Sequence, residues 1–183
     1  MYFVMWYTRE NLHMTVSEIM SKSVMTVTPE TTYRDLCKTI FSTHIHTLPV
    51  VNKAGQLAGI VTRKDILERL YPQYQDVMDF LETQQDFEAM EDRIRELSPL
   101  KAKDIMCLTV IFCRESTLVM RALSRMIIRH VDQLPVLNDD DEVVGVVTKG
   151  DIFYSLFRKN FGGKKRADSH EKDKKIKKST RKK

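Results

Sequence analysis

The sequence predicts a mixed α/β (α+β) fold made of two tandem copies of one β-α-β-β-α unit, separated by a helical insert. Three observations carry this. Gly59-Ile60-Val61-Thr62-Arg63-Lys64-Asp65 returns as Gly145-Val146-Val147-Thr148-Lys149-Gly150-Asp151, a constant offset of 86 residues. The same offset takes Ile19-Met20 to Ile105-Met106 and Leu48-Pro49-Val50 to Leu134-Pro135-Val136. Between His46 and Ile66, 9 of 21 positions are identical in the second copy. Repetition at a fixed period decides architecture before any local pattern does. One copy of about fifty residues would bury little apolar surface, so the two are expected to pack on each other.

In the first copy, residues 14–70, Thr15-x-x-Glu18 reads as a capping box opening a short helix. Val24–Thr28 is β-branched and suits a strand that Pro29 ends. Thr31 or Thr32 can cap a helix from Tyr33 to about Thr43, with Leu36, Cys37, Ile40 and Phe41 on one face. Leu48–Val51 and Leu57–Val61 flank the turn Asn52–Gly55 as a hairpin, and a helix follows from Arg63 to Leu70, where Pro72 stops it. The second copy, residues 100–158, repeats the order: an opening at Ala102–Met106, a strand at Thr109–Phe112 and a helix at Leu118–Arg129. Strands at Leu134–Leu137 and Val143–Val147 and a closing helix at Gly150–Phe157 complete it.

Three stretches stand outside the copies. Residues 1–13 form an N-terminal extension without a clear pattern. Residues 71–99 hold 8 acidic and 2 basic residues, with Phe80, Phe87 and Ile94 spaced by seven and Thr83, Met90 and Leu97 interleaved. That spacing predicts an amphipathic helix over Val77–Leu97, packed on the protein's own body, across a homodimer contact, or against a separate partner. Residues 159–183 form a Lys-rich tail, expected to be disordered.

Charge must be divided to be read. From Lys164 onward there are 11 Lys/Arg against 3 Asp/Glu, whereas the rest holds 19 basic and 22 acidic residues. The folded part is therefore mildly acidic, which argues against nucleic-acid binding by the domain itself. The tail alone offers a weak polyanion or nucleic-acid contact through counterion release. No apolar run approaches the ~18 residues that span a bilayer. Cys37, Cys107 and Cys113 lack a C-x-x-C spacing, which suits free thiols of a cytoplasmic protein, with Cys37 in the core.

With these features in view, the chain resembles the CBS-domain family as a tandem pair. The likeness rests on Ile19-Met20, Leu48-Pro49-Val50, the Gly59–Asp65 string and their copies, and covers about two-thirds of the sequence. It implies a pseudo-twofold pair with clefts between the repeats, and a non-catalytic regulatory module. The implied ligands contain adenosine: AMP, ADP or ATP, or S-adenosylmethionine. A homodimer and a separate regulated enzyme or transporter are the implied partners, and no cofactor is required. Asp65 and Asp151 are implied to take the ribose hydroxyls, and Thr62 and Thr148 the phosphate.

Elementary chemistry is consistent with those roles. A carboxylate accepts two O–H donors from a vicinal diol. A threonine at a strand-to-helix junction sits beside unpaired backbone N–H groups that favour phosphate. Arg63 and Lys149 follow the threonines and, with Lys64, lean toward a charged nucleotide. Gly59 and Gly145 leave room where a planar base approaches. Ile19, Met20, Leu48, Pro49, Ile105, Met106, Leu134 and Pro135 supply apolar walls. The same Thr-x-x-Asp spacing is equally a helix cap, and both readings stand at this stage. A purely structural dimer is the corresponding alternative function. His44 and His46 lack further residues for a metal set, and no P-loop, dinucleotide fingerprint or nucleophile elbow is present.

Overall fold

A computed structural model describes residues 13–43, 45–70 and 86–161, with side chains in the last stretch from 91 to 158. The chain divides into two compact units, one of Met25–Val110 and the other joining Met1–Val24 to Ile111–Lys183. Each unit holds most of one sequence copy and the opening segment of the other.

In the first of these, α1 (Tyr33–Thr43) leads to β1 (Thr47–Val51), β2 (Leu57–Thr62) and α2 (Arg63–Leu70). An insert helix α3 (Asp86–Leu97) and a single turn α4 (Ala102–Ile105) follow. Strands β1 and β2 pair antiparallel from Thr47 opposite Thr62 to Val51 opposite Leu57. Asn52 Oδ1 closes the hairpin turn by accepting the Ala54 and Gln56 N–H groups at 2.9 and 3.0 Å. Gly55 meets the turn's demand for a left-handed backbone, at φ 80°. Tyr33, Leu36, Ile40, Leu48, Val50, Val61 and Ile66 form the core. The Tyr33 hydroxyl, inside it, donates to the Ile66 carbonyl at 2.9 Å.

The second unit contains β3 (Cys113–Arg114), α5 (Val119–Ile128), β4 (Gln133–Leu137), β5 (Val143–Thr148) and α6 (Lys149–Phe161). Its sheet runs β3-β4-β5, with β3 parallel to β4 and β4 antiparallel to β5. Val16, Cys113, Ala122, Met126, Leu134, Val136, Val147 and Ile152 fill its core. All three cysteines are free thiols; burial pushes Cys113 up to about 11 and raises Cys37 as well.

The opening segments are held by the same bonds in both units. Ser21 and Val146 exchange N–H···O bonds at 2.9 and 3.0 Å, and Cys107 and Ile60, their 86-residue counterparts, do so at 2.9 and 3.0 Å. Val16 N–H donates to Thr117 O at 2.9 Å, just as Ala102 N–H donates to Thr31 O at 2.8 Å. The Ser21–Val146 and Cys107–Ile60 bonds cap the open edges of β5 and β2, whose backbone groups would otherwise lack partners. Close approach needs the glycines. A Cβ on Gly59 would lie 2.6 Å from Met106 Sδ, and one on Gly145 would lie 2.5 Å from Met20 Sδ.

Several expectations shift. Val24–Thr28 is not a strand; only Val27 pairs, parallel to Val50. The second copy's first strand is not Thr109–Phe112 but Cys113–Arg114, with Cys113 opposite Val136. Val27 and Cys113 are 86 residues apart, so the copies agree with each other. The apolar run misled because Phe112 is exposed, whereas buried Cys113 carries the pairing. Phe41 is 41% exposed rather than part of the core face. The insert helix ends at Leu97 as expected, and Leu97 joins the core while Ile94 stays exposed. Its expected first part, 77–85, lies outside the described residues, as do His44, the N-terminal extension before His13 and the tail beyond Phe161.

Two measurements test this packing. Gly59→Ala should lower unfolding free energy by about 1–3 kcal/mol through overpacking. Adding Met106→Ala should return part of that loss, a non-additivity read from urea denaturation. The second concerns Glu30, whose carboxylate accepts from Lys101 Nζ and, at 2.8 Å, from Lys103 Nζ, fastening the opening segment to its unit. Hydrogen bonds from Lys101 and then Lys103 bring Glu30 down from 4.5 to about 2. A depressed folded value stabilises above about 4.5, and the contribution disappears as pH falls through about 2. The gap in urea midpoint between the parent and Glu30→Gln should therefore be constant near neutrality and close over that interval. It should also shrink in high salt, because Glu30 is exposed.

Candidate functional site

The repeated strings form two strand-to-helix elbows. β2 runs without a break into α2 between Thr62 and Arg63, and β5 runs into α6 between Thr148 and Lys149. A chain turning from strand to helix leaves the first helical N–H groups without intrahelical partners. At the first elbow Asp65 N–H donates to Thr62 Oγ1 at 3.2 Å. Asp65 Oδ2 accepts both the Thr62 N–H and the Thr62 hydroxyl at 2.7 Å. The second elbow repeats this, with Asp151 N–H on Thr148 Oγ1 at 3.0 Å. There Asp151 Oδ2 accepts the Thr148 N–H and hydroxyl at 2.9 and 2.8 Å. The capping reading is thus realised in both copies.

Capping uses only part of each side chain. Both contacts on each aspartate fall on Oδ2, so Oδ1 stays open to a further donor within the described hydrogen bonds. Each threonine hydroxyl donates to the aspartate and accepts one N–H, leaving a second lone pair. All four residues are half-buried, so a ligand reaching them would be partly withdrawn from water. An ionised carboxylate oxygen in that setting is a strong acceptor for a sugar hydroxyl.

The basic residues beside the caps differ between copies. Each elbow is braced by a backbone bond, Arg63 N–H to His46 O at 2.9 Å and Lys149 N–H to Asp132 O at 3.0 Å. The Arg63 guanidinium lies over the Phe41 ring, 5.9 Å from its centroid, and its buried Nε has no hydrogen-bond partner. Lys149 Nζ instead reaches the Asp132 carboxylate at 2.9 Å. Lys64 forms an exposed i,i+4 pair with Glu68 at 3.4 Å, and Gly150 takes its place in the second copy. The side-chain roles of Phe41 and Asp132 were missed in the sequence. Phe41 fitted the apolar face of α1, while Asp132, 86 residues after His46, belongs to none of the repeated strings.

The apolar residues separate by unit. Met106 and Ile105 lie with Leu48, Pro49 and the Thr62–Asp65 elbow. Met20 and Ile19 lie with Leu134, Pro135 and the Thr148–Asp151 elbow. Leu48 and Leu134 have no exposed surface, since they point inward on β1 and β4 opposite Val61 and Val147. They shape the elbows from within the core and offer no surface to a ligand. Pro49 and Pro135 are buried beside them, and Ile105 is 8% exposed. The room left by Gly59 and Gly145 is not open to a base, because Met106 and Met20 occupy it.

The CBS-domain signature matches residues 16–72 and 102–158, and the chain belongs to the CBS-domain family. A CBS domain-containing protein of Dictyostelium discoideum is 31% identical over 145 residues, 78% of this chain and 91% of that protein. An inosine-5′-monophosphate dehydrogenase of Methanocaldococcus jannaschii is 26% identical over 74% of this chain, which spans only 22% of that enzyme. Among solved structures, the Arabidopsis thaliana CBS-pair protein CBSX2 in complex with AMP superposes with a TM-score of 0.62. It is 22% identical, with 80% of this chain and 98% of that one covered. The CBS domain pair of protein MJ0100, in complex with 5′-methylthioadenosine and S-adenosylmethionine, gives 0.58 at 24% identity, covering 80% and 98%. At these identities the superpositions show the shared fold: a tandem CBS pair of α+β class.

The caps have a direct test. Thr148→Ala and Asp151→Ala should each cost about 0.5–2 kcal/mol of unfolding free energy. Because the two residues share their bonds, the double variant should cost less than the two losses added together, and a denaturation double-mutant cycle reads the difference.

Proposed function

We propose that the chain is a regulatory module that binds adenosine-containing ligands at its Thr–Asp elbows and passes their occupancy to a partner protein. The observation that carries this reading is the division of labour within each aspartate: Oδ2 builds the cap, and Oδ1 accepts no hydrogen bond among the described residues. A ribose diol supplies the donors that fit such an oxygen. The AMP of one CBS-pair structure and the 5′-methylthioadenosine and S-adenosylmethionine of another support adenosine as the shared chemistry. Adenine mononucleotides are favoured over S-adenosylmethionine at an elbow whose cation is paired with no carboxylate among the described residues, as at Arg63.

Within this reading the module performs no chemistry, and regulation is a population shift. A ligand that prefers one arrangement of the chain, or of a homodimer, favours that arrangement by its differential affinity. The output then falls on a separate enzyme or transporter. Among the described residues no helix is long and apolar enough to cross a membrane. The tail's charge of +8 favours a second, separable activity, a salt-sensitive polyanion contact that truncation after Gly163 should remove.

A thermal-shift panel of AMP, ADP, ATP and S-adenosylmethionine tests the main reading, because a ligand of the native state must raise the melting temperature. At least one should do so at millimolar concentration, and no shift with any would refute it. Asp65→Asn and Asp151→Asn keep an oxygen for the cap and put an amide donor in place of the other oxygen. Each should weaken one site by about tenfold or more in calorimetric titration. Parent-like binding in both would show that the aspartates are not ribose ligands.

A further inference from the structure

The two elbows share a backbone and differ in charge. At the first, Arg63 and Lys64 stand against Asp65; at the second, Lys149 alone stands against Asp132 and Asp151. Counting Glu68, the exposed partner of Lys64, brings the first elbow to neutrality, and the second remains negative by one charge. Geometry sharpens the contrast. The Lys149 ammonium is one-third exposed and lies 2.9 Å from the Asp132 carboxylate. The Arg63 guanidinium has no carboxylate partner among the described residues, and its contacts are an aromatic face and a buried Nε without a hydrogen bond. At the position of Asp132 the first copy carries His46, which shares only the backbone brace.

We propose that Asp132 sets the ligand preference of the second elbow by holding Lys149, and that the two elbows therefore take different adenosine derivatives. The Thr62–Asp65 elbow selects ligands with a phosphorylated 5′ position. The Thr148–Asp151 elbow selects adenosine whose 5′ substituent is uncharged or cationic. A phosphate arriving at the second elbow must either break the Lys149–Asp132 pair or sit beside an additional carboxylate, and both oppose an anion. At the first elbow the fork of Arg63 can engage a phosphate without displacing an acid. This inference rests on the adenosine-binding reading above and adds the division between the sites.

The test uses the full chain with one elbow disabled at a time. Asp151→Asn leaves the first elbow and Asp65→Asn the second, and each variant is titrated calorimetrically with adenosine, AMP, ADP and ATP at one ionic strength. Affinity at the first elbow should rise by about tenfold or more from adenosine to ATP, as expected for charge-assisted bonds to phosphate. At the second elbow it should stay level or fall. Adding Asp132→Asn to Asp65→Asn should raise ATP affinity by about two- to fivefold, the range for an ion pair with an exposed carboxylate, and leave adenosine unchanged. Asp139→Asn, at the far turn of the β4–β5 hairpin, removes the same charge and should not. His46→Asp on the Asp151→Asn background should flatten the preference of the first elbow. Equal phosphate dependence at the two elbows, or Asp132→Asn acting no more strongly than Asp139→Asn, would overturn the proposal while leaving adenosine binding intact. Failure of both single-elbow variants to bind any of the four would overturn the functional reading and this division with it.

Discussion

Two pairs of backbone hydrogen bonds organise this protein: Ile60 with Cys107, and Val146 with Ser21. β2 and β5 each end in an elbow, and each would expose one edge if its copy folded alone. The opening segment of the other copy covers that edge. Glycine at positions 59 and 145 makes the approach feasible, because any side chain there would collide with the methionine lying across it. Each unit is completed by a segment of the other copy.

The exchange also governs what surrounds each elbow. Met106 belongs with Thr62 and Asp65, and Met20 with Thr148 and Asp151. A segment from one copy thereby helps build the surroundings of the other copy's candidate site. The units are not equally fastened. Lys101 and Lys103 grip Glu30 in one, whereas Thr15, Ser17 and Ser116 occupy the corresponding positions in the other. The first unit carries an electrostatic clasp that the second lacks.

Most of the fold was legible because its signals were local and duplicated. The α2 boundaries follow from Pro72 and the Thr62 cap, and the hairpins follow from turn chemistry at Asn52 and Asn138. Signals that depend on partners distant in sequence were misread. Val24–Thr28 has strand composition, but only Val27 meets a neighbour. Thr109–Phe112 is apolar, yet the pairing residue is Cys113, which the constant offset from Val27 already pointed to. At the site, the Thr–Asp caps were visible as spacing. The inward direction of Leu48 and the methionine over each glycine were not, because both depend on which segment closes which edge. Thr32-x-x-Asp35 makes the same cap at the start of α1, with the Thr32 hydroxyl on Asp35 Oδ2 at 2.8 Å. The spacing alone therefore never identifies a ligand site.

The Thr32–Asp35 cap also leaves one carboxylate oxygen spare, but Asp35 is exposed; what distinguishes the two elbows is that their spare oxygen belongs to a half-buried aspartate. In the proposed function, stability and binding share one side chain without competing for the same atom. A structure of the protein with AMP examines that claim directly. The account predicts ribose hydroxyls within hydrogen-bonding distance of Asp65 Oδ1, with the Thr62 N–H and hydroxyl still on Oδ2. A ribose bound away from both aspartates, or one that takes Oδ2 and breaks the cap, would contradict it.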